Sequence, residues 1–153
     1  MAVYFCDSSA IVKCYVQERG SAWMVALLHV TAGHHLYVAR ITGVEVIAAI
    51  RRRARRGDIA APDMAAALAQ FRQDFAGVYH SIEITPALVA RAMTLAETHA
   101  LRGYDAVQLA AAVEVNARGI TLGLQVLTLV SADGELNVAA TAEGLTVEDP
   151  NIL

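Results

Sequence analysis

The feature that most constrains the fold of this chain is the alternation of short apolar segments with longer segments of helical periodicity. The short segments are rich in β-branched or aromatic residues, which favours strands, and the longer ones contain good helix formers. Strands that alternate with helices predict a parallel sheet covered on both faces. We therefore expect a three-layer α/β fold with about five strands, in a single domain over residues 1–153. The predicted strands are 2–6, 36–39, 79–84, 125–130 and 145–148, and the predicted helices are 9–16, 22–30, 44–56, 63–75, 87–99, 105–117 and 132–142.

Proline and glycine support several of these boundaries. Thr85 followed by Pro86 is typical of a helix start, where a side chain caps the first turn and proline fits the first helical position. Gly57 and Gly119 follow arginine-containing helices. Glycine commonly stands just after a helix end, so we expect helices to end before these two residues.

The composition narrows the class of protein. A hydrophobic content of 56% with 18% charged residues provides ample material for a core. The net charge of −3 is not typical of a nucleic-acid-binding domain, which tends to be basic overall. The mean hydropathy of +0.44 is high, which favours a partner or a second copy covering apolar surface, and we expect a homodimer.

Cysteine content and the longest uncharged segment bear on the compartment. Cys6 and Cys14 have apolar neighbours and no Cys or His pair has metal-ligand spacing, so we expect neither a disulfide framework nor a zinc site. The chain start lacks the basic and apolar regions of a signal peptide. Residues 21–39 are uncharged but contain three histidines and a glycine, a poor pattern for a membrane span. A cytoplasmic setting fits these features.

Four acidic residues stand near predicted helix starts: Asp7, Glu45, Asp105 and Asp133. One interpretation is helix capping, because aspartate caps helices and acids in a first turn complement the helix dipole. Thr42 followed by Glu45 matches the capping-box pattern, and on this interpretation Ser131 caps the last helix.

The second interpretation is a shared site. Glu45 has apolar neighbours and Asp7 follows an apolar strand, so both face partial burial, which is costly for a carboxylate without a compensating charge. Lys13 is the only lysine in the chain. The strand-to-helix junctions of a parallel sheet lie at one edge, where ligands of open α/β folds bind.

Carboxylates brought together repel one another unless a cation neutralises them. Hard oxygen ligands without soft ones favour Mg²⁺ or Mn²⁺ over zinc. One or two such ions held by three or four acids can cleave a phosphodiester. The sequence therefore predicts a divalent-metal site at Asp7, Glu45, Asp105 and Asp133.

Each of the four acids stands in a short motif, and the motifs follow one another along the chain. Asp-Ser-Ser-Ala at 7–10 follows the first strand, Glu45 lies in an apolar helix, Arg102 precedes Asp105 by three residues, and Ser131 precedes Asp133 by two. In these motifs the chain resembles the PIN-domain nucleases, and most closely the VapC-type toxins of bacterial toxin–antitoxin pairs, over nearly its whole length.

The resemblance implies a Mg²⁺- or Mn²⁺-dependent endoribonuclease whose substrate is RNA and whose partner is a cognate antitoxin. It implies that Asp7, Glu45 and Asp105 are the core metal ligands and that Asp133 is a fourth. Ser9 and Ser131 would orient carboxylates by hydrogen bonds. Two departures from the family pattern are Cys6 before Asp7 and Gly134-Glu135 after Asp133, where the extra acid would repel RNA phosphate.

Five arginines fall within residues 51–56. Consecutive residues spread around a helix, so one interpretation is a solvated helix end that complements the dipole. The other is that some of them, such as Arg52 and Arg53, bind RNA phosphates.

Two further groups carry hypotheses of their own. His34 and His35 are interpreted as exposed loop residues. Trp23, Met24, Leu27 and Leu28 have helical spacing and fit either plain core or an exposed groove that receives the antitoxin.

Of three alternative functions, two are disfavoured by the sequence and one stays open. A phosphatase that uses an aspartate nucleophile is disfavoured because Ser9 stands where that class places a second aspartate. A receiver domain needs a lysine after a late strand, and Lys13 is early in the chain. The alternative that stays open is a catalytically silent PIN-like binding module.

Overall fold

The sheet is the centre of the molecule. The structure is a computed structural model that describes residues 2–29 and 33–153. Its five strands are all parallel, in the order β3-β2-β1-β4-β5, which confirms the predicted sheet. The strands are β1 (Val3–Cys6), β2 (His35–Ala39), β3 (His80–Ile82), β4 (Thr128–Val130) and β5 (Thr146–Glu148).

Helices cover both faces of the sheet. In chain order they are α1 (Ser8–Ile11), a 3₁₀ turn (Val12–Cys14), α2 (Ser21–Leu28), α3 (Thr42–Arg55), α4 (Ala61–Gly77), α5 (Pro86–His99), α6 (Gly103–Thr121) and α7 (Gly134–Ala142). Helix α5 begins as predicted, with Thr85 Oγ1 accepting a hydrogen bond from the backbone N–H of Leu88 and proline at the first helical position.

Alternating side chains of each strand build two separate cores. Phe5 and Leu129 belong to the core beneath α5, α6 and α7, whereas their neighbours Cys6 and Val130 belong to the core beneath α1 to α4. This period of two is what a sheet buried on both faces requires. The three-layer prediction is confirmed.

Several strands and helices begin or end at residues other than the predicted ones. Four strands are shorter than predicted, while β2 begins one residue earlier, at His35. The first predicted helix is a short α-helix continued by a 3₁₀ turn. Helix α6 continues through Gly119 to Thr121, so the predicted end there was wrong; the left-handed residue that follows is Gly123, with φ +72°.

The histidines predicted in a loop and the residues of the possible antitoxin groove differ in their surroundings. His35 is exposed but lies in β2 and not in a loop, and His34 is partly buried against the ring of Tyr4. Met24 and Leu27 are buried, whereas Trp23 and Leu28 are only partly buried against the core. The groove hypothesis therefore stays a prediction. The predicted helix end at residue 30 lies outside the described residues.

Both cysteines are free thiols, with Cys6 buried and Cys14 partly buried. Within residues 2–29 and 33–153, no helix is long and apolar enough to cross a membrane.

Candidate active site

Asp7 is placed at the centre of the sheet edge by β1, which ends one residue before it. Its side chain is 2% exposed. Oδ1 accepts hydrogen bonds from Ser9 Oγ (2.7 Å) and from the backbone N–H of Ala10 (3.1 Å), and Oδ2 accepts one from Ser131 Oγ (3.0 Å). Asp7 is thus the N-cap of α1 and is also the acid that receives both predicted serine contacts.

The two serines tie Asp7 to the turn between β4 and α7. Ser9 Oγ accepts a hydrogen bond of 2.9 Å from the backbone N–H of Ala132, and Ser131 Oγ accepts one of 3.0 Å from that of Asp133. Each hydroxyl therefore accepts from this turn and donates to the Asp7 carboxylate. Such linked hydrogen bonds fix the orientation of the carboxylate.

Burial raises the pKa of Asp7 to about 7. The hydrogen bonds from Ser9, Ala10 and Ser131 lower it, and the charge of Asp105 raises it further. A carboxylate buried in this way is fully ionised at neutral pH only when a positive charge stands close to it. Lys13 does not supply that charge, because its ammonium binds Glu18, Asn151 and the carbonyl of Arg19.

Glu45 lies in the first turn of α3, but it does not form the expected capping box. The N-cap of α3 is Ile41, which makes no side-chain cap bond. Glu45 Oε1 and Thr42 Oγ1 instead accept hydrogen bonds of 2.8 Å and 2.9 Å from Nε2 of Gln108. The capping-box interpretation of Glu45 is therefore wrong, although Glu45 does lie in the first turn, where an acid complements the helix dipole.

Gln108 is a residue whose role at the site was missed. It is 1% exposed, and its Oε1 is buried without a hydrogen-bond partner. The sequence did contain a signal, since Gln108 interrupts an otherwise apolar stretch of α6 one turn after Asp105. A buried amide at such a place usually serves a polar neighbour.

Asp105 stands in the first turn of α6, where Arg102 is the N-cap and makes no side-chain cap bond. The pKa of Asp105 is raised, first by burial and then by the charge of Asp133; Arg102 lowers it, and Glu45 and Glu135 raise it. The predicted acids therefore lie close enough to influence one another.

Asp133 is the acid that most resembles a simple cap. Its Oδ1 accepts hydrogen bonds from the backbone N–H groups of Glu135 (3.0 Å) and Leu136 (3.1 Å) at the start of α7. The expectation that Ser131 caps this helix was wrong, because Ser131 Oγ is engaged by Asp7 and by the backbone of Asp133.

All four acids line one cleft with a volume of about 500 Å³. Arg52, at the far end of the lining face of α3, also borders it. An adjoining opening shares Tyr104 and three of the acids and adds Arg102. A larger cavity of about 660 Å³ lies near the start of β1 and β2, but no carboxylate lines it, so it lacks the ligands for a metal site.

The donor set of the cleft fits a hard divalent cation. Four carboxylates and two guanidinium groups line the two openings, an excess of two negative charges when all the acids are ionised. Among residues 2–29 and 33–153, no three Asp, Glu, His or Cys side chains already form a group that could hold a metal ion. Asp7, Glu45 and Asp133 are each hydrogen-bonded to protein donors. The acids thus share a cleft without forming a ready-made ligand set.

Comparison with known proteins decides the family. The PIN-domain family profile matches residues 4–140, and these include all four acids. The chain is a PIN-domain protein. It is 34% identical over 145 residues to ribonuclease VapC45 of Mycobacterium tuberculosis, an alignment that covers 95% of this chain and 93% of the relative.

Solved structures agree with this PIN-domain fold. Mycobacterium tuberculosis VapC20, described as a Sarcin-Ricin loop cleaving toxin, superposes with a TM-score of 0.61 at 17% identity, covering 94% of this chain and 96% of that one. A chain of a toxin-antitoxin complex from Klebsiella pneumoniae superposes with a TM-score of 0.60 at 14% identity, covering 98% of both. At these identities the likeness shows the fold alone.

Proposed function

We propose that this PIN-domain protein is a Mg²⁺- or Mn²⁺-dependent endoribonuclease and the toxin of a type II toxin–antitoxin pair. The observation that carries the proposal is the cleft in which buried Asp7 faces three further acids. The 34% identity to ribonuclease VapC45 over nearly the whole chain supports RNA as the substrate.

Asp7, Glu45 and Asp105 would hold the cation, with Asp133 as a fourth ligand. When bound, a divalent cation supplies an activated water at neutral pH and neutralises charge that develops on the phosphate. Ser9 and Ser131 hold the Asp7 carboxylate in one orientation, and Gln108 does the same for Glu45. Without a cation, Asp7 retains a proton over much of the neutral range, because burial raises its pKa to about 7.

Protein partners follow from the relatives and from the surface. The fold is shared with a chain of a toxin-antitoxin complex, which supports a cognate antitoxin as the partner. The apolar residues Ile120, Leu122, Leu124 and Val126 are each more than half exposed, which supports the proposed homodimer.

The compartment that fits the cysteines is the cytoplasm, because Cys6 and Cys14 are free thiols.

The test is RNA cleavage by the purified protein with Mg²⁺ or Mn²⁺. We expect Asp105→Asn to lose at least about a hundredfold in cleavage rate while keeping the wild-type melting temperature, because it removes a ligand charge and no cap. Asp58→Asn is the matched control, since Asp58 is exposed and lies outside the cleft. EDTA should abolish cleavage by the wild type.

The rival is a catalytically silent binding module, which the helix-capping roles of Asp7 and Asp133 favour. Absence of cleavage with either ion, together with no thermal stabilisation by them, would establish the rival. Full activity of Asp105→Asn, or full activity in EDTA, would contradict the proposed metal site.

A further inference from the structure

Among the five arginines of residues 51–56, Arg52 is distinguished by its surroundings. It is exposed and lines the acid cleft, and within residues 2–29 and 33–153 it pairs with no acid. Arg53 binds Glu18, Arg56 lies 3.5 Å from Asp58, and Arg51 contacts Met64. The arginine run therefore leaves one guanidinium group available at the cleft.

Helical spacing explains why Arg52 reaches the acids. Arg52 follows Glu45 by seven residues, which is two turns of α3, so both stand on one face about 10 Å apart. Ala48 and Ala49 lie between them on the cleft wall, and their small side chains leave room for a polymer backbone. A phosphate bound at Arg52 would belong to the strand beyond the phosphodiester at the acids.

Tyr104 stands at the opening that Arg102 also borders. Its side chain is 62% exposed, and it lines both openings beside Asp105. An exposed aromatic ring next to a phosphate site is suited to stacking on a nucleic-acid base. Bases of a duplex are stacked within the helix and cannot reach such a ring, whereas unpaired bases can.

We propose that Tyr104 and Arg52 position RNA across the acids, with Tyr104 stacking on one unpaired base and Arg52 binding a phosphate further along the strand. This inference rests on the proposed ribonuclease function and adds two residues that position the substrate. The acids repel phosphates, so an unpaired arginine at this end of the cleft offsets part of that repulsion.

The test measures binding of a fluorescein-labelled single-stranded oligoribonucleotide, and of a blunt-ended RNA duplex of the same length, by anisotropy. All variants are made in an Asp105→Asn background with Mg²⁺, so that the RNA stays intact. Arg52→Ala should weaken single-strand binding about tenfold and reduce the slope of log affinity against log salt by about 0.7, the value for one lost phosphate contact. Arg52→Lys should restore most of the slope.

Arg55→Ala is the matched control. It removes the same charge one helical turn after Arg52, and Arg55 itself does not line the acid cleft. It should change affinity by less than about twofold. For the ring, 2-aminopurine in the oligonucleotide should be quenched by the Tyr104→Phe protein and not by Tyr104→Ala, because stacking needs the ring and not the hydroxyl.

Equal losses for Arg52→Ala and Arg55→Ala would overturn the proposal, since the run would then act only as diffuse charge. Binding of the duplex as tightly as the single strand, with no effect of Tyr104→Ala, would also overturn it. Cleavage by the protein with Asp105 intact is measured in parallel. If that protein cleaves RNA while Arg52→Ala and Tyr104→Ala bind RNA normally, only the positioning roles of these two residues are contradicted. If it does not cleave RNA, the proposed ribonuclease function is contradicted.

Discussion

Ser131 donates a hydrogen bond of 3.0 Å from Oγ to Oδ2 of Asp7, across a separation of 124 residues in the sequence. The pairing of β1 with β4 makes this contact possible, because Cys6 and Val130 are register partners and the next residues along the two strands are Asp7 and Ser131. The same hydroxyl accepts from the backbone of Asp133. Removing it should therefore affect both the buried acid and the neighbouring turn.

Ser131→Ala should lower the free energy of unfolding by about 1–3 kcal/mol, because the Asp7 carboxylate loses a donor and the N–H of Asp133 loses its acceptor. RNA cleavage should fall roughly tenfold to a hundredfold, the usual effect of losing a group that orients a metal ligand. Urea unfolding and a cleavage assay measure the two effects. Thr141→Ala, which removes an exposed hydroxyl from the same helix region, is the control; equal activity in both variants would contradict the positioning role.

Gln108→Met should reduce cleavage about tenfold or more with little change in stability. The substitution removes the donor to Glu45 Oε1 and Thr42 Oγ1, which destabilises the fold. It also removes a buried amide oxygen that has no partner, and this gain offsets the loss. Gln70→Met changes an exposed glutamine on α4 and serves as the control. Unchanged cleavage in Gln108→Met would show that Glu45 needs no orientation from Gln108.

Asp133→Asn and Asp133→Ala separate capping from catalysis. Asparagine is as good an N-cap as aspartate, whereas alanine costs about 1 kcal/mol at this position. If Asp133 contributes charge to the site, both variants lose cleavage but only Asp133→Ala loses stability. Full cleavage by a stable Asp133→Asn protein would assign Asp133 to capping alone.

The metal-free protein should lose stability as the pH rises. The folded-state pKa of Asp7, about 7, lies above its ordinary value of 3.8, so its protonation favours the folded state. This contribution is complete below about pH 4, declines as the pH rises through about 7 and is then absent, a change of about 4 kcal/mol. Urea unfolding in EDTA between about pH 4 and pH 8 measures it.

Asp7→Asn should flatten that pH dependence, because asparagine does not titrate. Added Mg²⁺ should stabilise the wild type more at pH 8 than at pH 5, since the cation competes with protons for the acids. A stability that stays constant or rises over this range in EDTA would mean that Asp7 is already ionised without a cation.

Local patterns were sufficient to predict the elements of this protein. The five strands and the helices between them follow from periodicity and composition, which act over a few residues at a time. The parallel direction of the strands follows as well, because strands that alternate with helices favour a parallel sheet. The same reasoning predicts Asp7 and Asp133 at the sheet edge, since Asp7 follows β1 directly and Asp133 is the third residue after β4.

Only the tertiary structure decided how the remaining residues join the cleft. Asp105 follows the connection between α5 and α6 and not a strand, so the rule for strand ends could not place it. The spacing of Glu45 from Thr42 predicted a capping box, but Glu45 instead accepts a hydrogen bond from Gln108 of another helix. Arg52 was one of five similar arginines until the packing of α3 beside Asp7 showed which of them lines the cleft. These contacts join residues far apart in the chain, and the free energy that selects them comes from packing that no local pattern encodes.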